Sequence, residues 1–226
     1  MRPPENLPFL GGAELPASRQ PVRVKICGIT TVEDAEVAIE AGADALGFNG
    51  YAGSKRFIDL AAADWISRLP SSVARVAVLV NPAPEEAKAV SNLPGIDFLQ
   101  FHGHESPEFC RGFASRLYIK AVAARDREAL QLCGDYSTPA ILLDAFVPGA
   151  FGGTGKLIDL ELAAEFVQAH PGLKVILSGG LTPDNVAEAV RAVRPYAVDV
   201  ASGVESHPRK KDRSLMNDFI KAARSA

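Results

Sequence analysis

Residues 22–49, VRVKICGITTVEDAEVAIEAGADALGFN, decide the fold. They hold a short apolar run (VRVKIC, 22–27), a polar loop, an amphipathic stretch (VEDAEVAIEAG, 32–42) and a second apolar run (DALGFN, 44–49). A strand, a helix and another strand in that order form a crossover unit. The helix carries the chain back to its starting end, so the two strands run parallel. The unit recurs along the chain. Further strand-like runs are ARVAVLV (74–80), DFLQFH (97–102), LYIKAV (117–122), AILLDA (140–145), KVILSG (174–179) and AVDVAS (197–202). After the seventh run, Val186, Ala189, Val190 and Val193 make one apolar stripe at i, i+3, i+4 and i+7, and Leu215, Phe219, Ile220 and Ala223 repeat the idea. Eight such units in roughly 200 residues predict a single (β/α)8 TIM barrel over residues 21–226. An open doubly wound sheet usually carries Gly-x-Gly-x-x-Gly after its first strand. Here that position reads Cys27-Gly28-Ile29-Thr30-Thr31, so the closed barrel is preferred.

The 226 residues are 47% hydrophobic and 23% charged, enough for one large core. A net charge of −3 leaves no basic footprint for nucleic acid or an anionic membrane. The run Arg209-Lys210-Lys211, followed by Asp212, reads as a solvated loop. Cys27, Cys110 and Cys133 are odd in number and far apart, which fits neither a disulfide framework nor a Cys-x-x-Cys pair and points to the reducing cytoplasm. No apolar run approaches the ~18 residues of a membrane span. Residues 1–20, rich in Pro and Gly, lack the apolar centre of a signal peptide and are expected to form a loosely packed extension. A monomer is the default expectation.

Helices cover the outer face of every barrel strand, so a polar strand residue is expected inside the barrel or at its mouth. Residues two apart share a face. Lys25 and Cys27 therefore look one way while Val24 and Ile26 pack outward; Gln100 with His102, Leu142 with Asp144, and Asp199 with Ala201 also share faces. Most of these polar groups sit near the carboxyl ends of their strands, where barrel enzymes carry their chemistry. Cys27 alone could be a small buried hydrophobe, but an inward Lys25 beside it is expected to favour the thiolate, making it a candidate base or nucleophile. Asp144, at the end of an apolar run, is either a turn carboxylate or an acid with a raised pKa. Asp199, between two valines, could bond a sugar hydroxyl or a loop amide.

Gly-rich segments follow the late strands: Gly152-Gly153-Thr154-Gly155-Lys156, Ser178-Gly179-Gly180 and Ser202-Gly203. The first fails as a P-loop, because Ala150 stands at the first glycine position and Leu157 where Ser or Thr is needed. The other two follow strands seven and eight, the usual phosphate site of barrels. His102-Gly103-His104-Glu105 offers at most three metal ligands on one loop with no partner cluster elsewhere, and Ser106 before Pro107 reads better as a helix cap. No metal or cofactor is expected.

In order along residues 22–220 the chain carries Lys25-Ile26-Cys27-Gly28-Ile29-Thr30, Ala41-Gly42-Ala43-Asp44, Ser54-Lys55-Arg56-Phe57, Gln100-Phe101-His102-Gly103, Leu143-Asp144-Ala145, Gly152-Gly153-Thr154-Gly155, Ser178-Gly179-Gly180-Leu181 and Val198-Asp199-Val200-Ala201-Ser202-Gly203-Val204-Glu205. This ordered set resembles the phosphoribosylanthranilate isomerases of tryptophan biosynthesis. The resemblance implies an Amadori rearrangement of N-(5-phosphoribosyl)anthranilate. In it the residue matching Asp144 is the general acid that opens the ribose ring, and the residue matching Cys27 is the base that takes the C2 proton. It implies further that Arg56 holds the anthranilate carboxylate, that Gly179, Gly180, Ser202 and Gly203 hold the phosphate, and that Asp199 lies by the sugar, with Lys25 also among the substrate-binding residues and no cofactor needed. Four features depart from the family pattern: the extension at 1–20, His104 in place of an acidic residue, Arg209 where glycine is common, and Asn49-Gly50-Tyr51-Ala52-Gly53 in place of a Pro-containing loop. Another sugar-phosphate isomerase or epimerase, or a non-catalytic barrel binding a phosphorylated metabolite, are the competing readings. A histidine-pathway isomerase would carry aspartate at the position of Cys27. A degenerate barrel should have lost Cys27, Asp144 or Arg56.

Overall fold

The computed structural model describes residues 9–10, 21–115, 118–145 and 157–226. Eight parallel strands close in sequence order: β1 (Arg23–Cys27), β2 (Ala45–Asn49), β3 (Ala74–Leu79), β4 (Phe98–Phe101), β5 (Tyr118–Ala124), β6 (Ala140–Ala145), β7 (Lys174–Leu177) and β8 (Ala197–Val200). β1 pairs with both β2 and β8, which seals the barrel. The predicted barrel is the observed one. The helices are α1 (Val32–Glu40), α2 (Pro84–Ser91), α3 (Pro107–Arg111), α4 (Arg127–Gln131), α5 (Leu160–Ala169), α6 (Val186–Val193) and α7 (Arg213–Arg224). After β2 a 3₁₀ segment, Asp64–Arg68, takes the helix's place. Leu69 is extended there, as the residue before a proline tends to be, and that ends the turn. Thr31, Ser106, Asp159 and Asp212 cap α1, α3, α5 and α7 by accepting a backbone N–H, Ser106 as expected. Among the described residues no helix is long and apolar enough to cross a membrane.

Alternation along the strands sorts the core into two layers. Val24, Ile26, Leu143 and Val198 pack outward beneath the helices. Ala45, Phe98, Ile119, Leu142, Ile176 and Ala197 fill the barrel. Several of these open their strands, so the inner apolar layer lies at the amino-terminal mouth. Phe9 and Leu10 join that layer, fully buried. The Phe9 carbonyl accepts from Tyr196 Oη at 2.6 Å, the Leu10 carbonyl accepts from Lys174 Nζ, and the Phe9 ring meets Tyr196 edge-on. The sequence reading expects a loosely packed extension; these two residues of it instead plug the mouth of the barrel. The Gly152–Gly155 segment singled out above lies outside the described residues.

Towards the carboxyl-terminal mouth the interior turns polar, with Lys25, Gln100, Asp144 and Asp199 all buried. Lys120 breaks the expected rule. It lies between inward Ile119 and Ala121 and so faces the helix layer, where Glu105 takes its charge at 2.8 Å and the carbonyls of Phe101 and Gly103 accept its remaining protons. The loop after β4 is thereby tied down, since Glu105 also accepts the backbone N–H groups of Asn81 and Gly103.

Candidate active site

Register builds the first half of the site. In the β1–β8 pairing Lys25 lies opposite Asp199, and in the β1–β2 pairing Cys27 lies opposite Gly47. Both Lys25 and Asp199 point inward, and Lys25 Nζ donates to Asp199 Oδ1 at 2.6 Å, while the other oxygen of Asp199 accepts from Ser178 Oγ at 3.1 Å. Burial alone would lower the Lys25 pKa; Asp199, and then Cys27, more than offset it and hold the amine above its usual range. The space beside Cys27 exists because residue 47 has no side chain. A Cβ there would lie 2.7 Å from Cys27 Sγ and 3.0 Å from Lys25 Nζ.

The expected low-pKa thiol is not what this arrangement produces. Burial, the largest influence, pushes the Cys27 thiol above its ordinary value; Lys25 and Lys211 pull it down and Asp199 pushes it up. Pairing adds to the effect of burial: a lysine already matched by a carboxylate at 2.6 Å cannot spend its whole field on a neighbouring sulfur.

Asp144, next to last in β6, anchors the second half. Its Oδ1 accepts the N–H of Ala145 at 2.9 Å and its Oδ2 lies 3.1 Å from His102 Nε2. His102 Nδ1 lies 2.8 Å from Gln100 Nε2. In this orientation the amide nitrogen donates, so Nδ1 accepts and the imidazole proton sits on Nε2, facing Asp144 Oδ2. Turning the Gln100 amide over would give its buried, unpartnered Oε1 a donor at Nδ1 and move the imidazole proton off Nε2. Sequence reasoning paired Gln100 with His102 on one face but read the histidine only for metal. Among the described residues no metal-ligand cluster forms, and His102 and Glu105 turn to Asp144 and Lys120 instead.

The two halves meet at a cleft lined by Asp144, residues 178–181 and residues 199–203, which brings the four predicted phosphate-loop positions together with both carboxylates. Gly179 and Gly180 have φ of 94° and 65°, a left-handed backbone that a side chain would strain. A Cβ on Gly203 would collide with the Leu181 carbonyl, so the loops after β7 and β8 lie against each other with nothing between them.

Arg56, in the turn after β2, completes the mouth. Its Nε and Nη2 donate to the two oxygens of Glu205 at 2.7 and 2.6 Å, and that bonding raises the guanidinium pKa. Glu205 opens a hairpin of β9 (Glu205–His207) and β10 (Lys210–Lys211). Burial would raise its carboxyl pKa, but the bonds from Arg56 and the charge of Lys211 hold it below the usual range. Lys211, expected in a solvated loop, is buried: its Nζ donates to Glu205 at 3.1 Å and to the Ala201 carbonyl at 2.8 Å, and burial draws its pKa down. Arg209 adopts φ 76°, which explains why glycine suits that position. Its side chain donates to the Phe57 carbonyl, tying the hairpin to the loop that carries Arg56.

A family profile described as N-(5'phosphoribosyl)anthranilate (PRA) isomerase matches residues 24–222. The N-(5'-phosphoribosyl)anthranilate isomerase of Trichlorobacter lovleyi is 48% identical over 206 residues, covering 91% of this chain and 99% of that protein. Monomers generated from the dimeric phosphoribosylanthranilate isomerase of Thermotoga maritima superpose with a TM-score of 0.79 at 42% identity, over 91% of this chain and all of that one. A phosphoribosylanthranilate isomerase in complex with reduced 1-(o-carboxyphenylamino)-1-deoxyribulose 5-phosphate superposes with a TM-score of 0.78 at 41% identity, over 91% and 100%. Phe9 and Leu10 fall before the first residue of the family match.

Proposed function

Because the chain belongs to the N-(5'-phosphoribosyl)anthranilate isomerase family, and is thus an isomerase of tryptophan biosynthesis, we propose that it works with Cys27 as general base and Asp144 as general acid. Asp144 protonates the ribose ring oxygen, and the ring opens to a Schiff base between C1 and the anthranilate nitrogen. Cys27 then takes the C2 proton, and the resulting enolamine tautomerises to the ketone. A thiol held above its ordinary pKa is scarcely ionised at neutral pH, but its thiolate is a stronger base, which suits abstraction from carbon. Lys25 and Lys211 supply the positive field that ionisation needs.

Arg56 takes the anthranilate carboxylate, a planar anion matched to a planar guanidinium. Gly179, Gly180, Ser202 and Gly203 take the phosphate through backbone N–H groups, and Asp199 takes a sugar hydroxyl while it anchors Lys25. The observation that carries this reading is the shared cleft: Asp144 and Asp199 line it together with both glycine-bearing loops, and Cys27 stands beside Lys25. The steps are proton transfers and one ring opening, in which the anthranilate nitrogen lone pair forms C=N as the C1–oxygen bond breaks, and none needs a cofactor. The chain acts as a monomer in the cytoplasm. Among the described residues Leu157 is the single large apolar side chain left exposed, and the three cysteines are free thiols.

The test follows the fluorescence of phosphoribosylanthranilate generated in situ. Wild type should consume it, and Cys27→Ser and Asp144→Asn should each lose ~10²-fold or more in kcat. Two folded variants with near wild-type turnover would remove the acid–base assignment. Sedimentation at micromolar concentration checks the monomer.

A further inference from the structure

Arg56 cannot take a substrate carboxylate with whichever edge it likes. Its Nε–H and one Nη2–H are already committed side-on to Glu205, at 2.7 and 2.6 Å. A guanidinium has five N–H donors in a fixed plane, so a single free edge, Nη1 with the second Nη2 proton, is left for a ligand. The side chain is also pressed onto Gly28, where a Cβ would stand 2.3 Å from Arg56 Cδ. Glu205 is itself immobilised. Its side chain is 4% exposed, Lys211 donates to the same Oε1 that accepts from Arg56 Nε, and it follows Ser202–Val204 directly in the chain. One short segment thus carries Gly203 of the phosphate loop and, two residues later, the carboxylate that aims Arg56.

We propose that Glu205 is the positioning residue that sets specificity for the substrate's ortho-carboxylate, by fixing which edge of Arg56 is free and how far that edge stands from the phosphate loop. This rests on the reading of Arg56 as the carboxylate holder. Neutralising Glu205 would leave two cations, Arg56 and Lys211, facing each other across the position of its charge, and Arg56 would lose its fixed plane. The ligand best served by the wild-type arrangement is an anion at one set distance from a phosphate, so an aromatic amine lacking the carboxylate should gain nothing from it.

The experiment measures calorimetric binding of two probes to the full chain. One is reduced 1-(o-carboxyphenylamino)-1-deoxyribulose 5-phosphate and the other is the same compound without its carboxyl group. Charge-assisted hydrogen bonds of this kind give a preference of about 10- to 150-fold, so wild type should favour the carboxylated probe by that factor. Glu205→Gln should lower the preference to severalfold by weakening the carboxylated probe alone, and KM should rise with kcat little changed. If Glu205→Gln does not fold, Glu205→Asp, which keeps the charge but withdraws it by one methylene, should reduce the preference partway. Loss of affinity for both probes in equal measure, or an unchanged preference, overturns the proposal. An Arg56→Gln arm separates the two claims. If it abolishes the preference while the Glu205 variants do not, the Glu205 role alone fails. If it leaves the preference intact, the reading of Arg56 fails with it.

Discussion

Replacing Gly47 by alanine should disable the enzyme by crowding Cys27 rather than by removing a functional group. The added Cβ would stand 2.7 Å from Cys27 Sγ, 3.0 Å from Lys25 Nζ and 3.1 Å from Cys27 Cα. Carbon contacts settle near 3.5–4.0 Å, so something must give by about 1 Å. The backbone is poorly placed to do so, because Gly28 and Ile29 both donate to the Gly47 carbonyl at 2.8 and 3.0 Å and Cys27 lies in register with Gly47. Lys25 is pinned to Asp199. The thiol is left to move. A displacement of about 1 Å at a reacting group costs on the order of 10²-fold in rate, which should appear in kcat. KM should stay within a few fold, since Arg56 and the phosphate loops are untouched. Overpacking should also cost about 1–3 kcal/mol, and at about 2–4 °C per kcal/mol for a domain this size Tm should fall by roughly 2–12 °C. The fluorescence assay and a thermal melt read both numbers. A folded Gly47→Ala protein with kcat within threefold of wild type would refute the claim that sulfur placement governs the reaction.

Iodoacetamide labelling of Cys27 should be slow at neutral pH and climb through the alkaline range, because burial holds the thiol up. Lys25→Met, which removes the opposing charge, should move the labelling curve further up; a downward move contradicts the electrostatics. Lys120→Met leaves Glu105 buried without its cation and should cost about 3–5 kcal/mol, a Tm loss of roughly 6–20 °C by calorimetry; a loss under ~2 °C speaks against a strong pair. Glu205 titrates below its ordinary 4.5 in the folded protein, so its contribution is present above that pH and is lost as pH falls through the folded value. Denaturation midpoints between pH 6 and 3 should therefore drop less steeply for Glu205→Gln than for wild type, and parallel curves would exclude this role. Phe9→Ala should cost up to about 3–5 kcal/mol in urea unfolding with kcat unchanged, because the plug sits at the opposite mouth from the chemistry; an unchanged midpoint would mean the plug adds nothing.

What the sequence discloses is what lies along a strand. Period-two alternation reaches Lys25 with Cys27 and Gln100 with His102 correctly, and places Asp144 and Asp199 inward, because each of these facts is local. Relations that depend on closing the barrel are invisible to it. Arg56 and Glu205 are 149 residues apart and His102 and Asp144 are 42 apart, and no spacing rule joins them. The same blindness explains the errors of sign. Lys25 was counted as a full charge beside Cys27 because Asp199 enters only through the β1–β8 register. Lys211 reads as solvated because nothing in Arg-Lys-Lys-Asp says that a hairpin folds it onto Glu205. Lys120 defies the inward rule because its partner arrives on the preceding loop. Phe9 and Leu10, two apolar residues amid Pro and Gly, carry no period at all.

The clasp between Phe9 and Tyr196 spans 187 residues, and its consequence falls on the growing chain. At a synthesis rate of roughly 5–20 residues per second, on the order of ten to forty seconds separate the emergence of Phe9 from that of its partner. β1 waits as long for β8, its backbone groups unpaired along one edge. During that interval an apolar pair and an open strand stand free beside each other, the combination that invites pairing with a neighbouring nascent chain. Lys25 sits in the middle of that waiting edge. A charged side chain there discourages edge-to-edge association, so the lysine that meets Asp199 once the barrel closes also disfavours stray pairing while the barrel is unfinished.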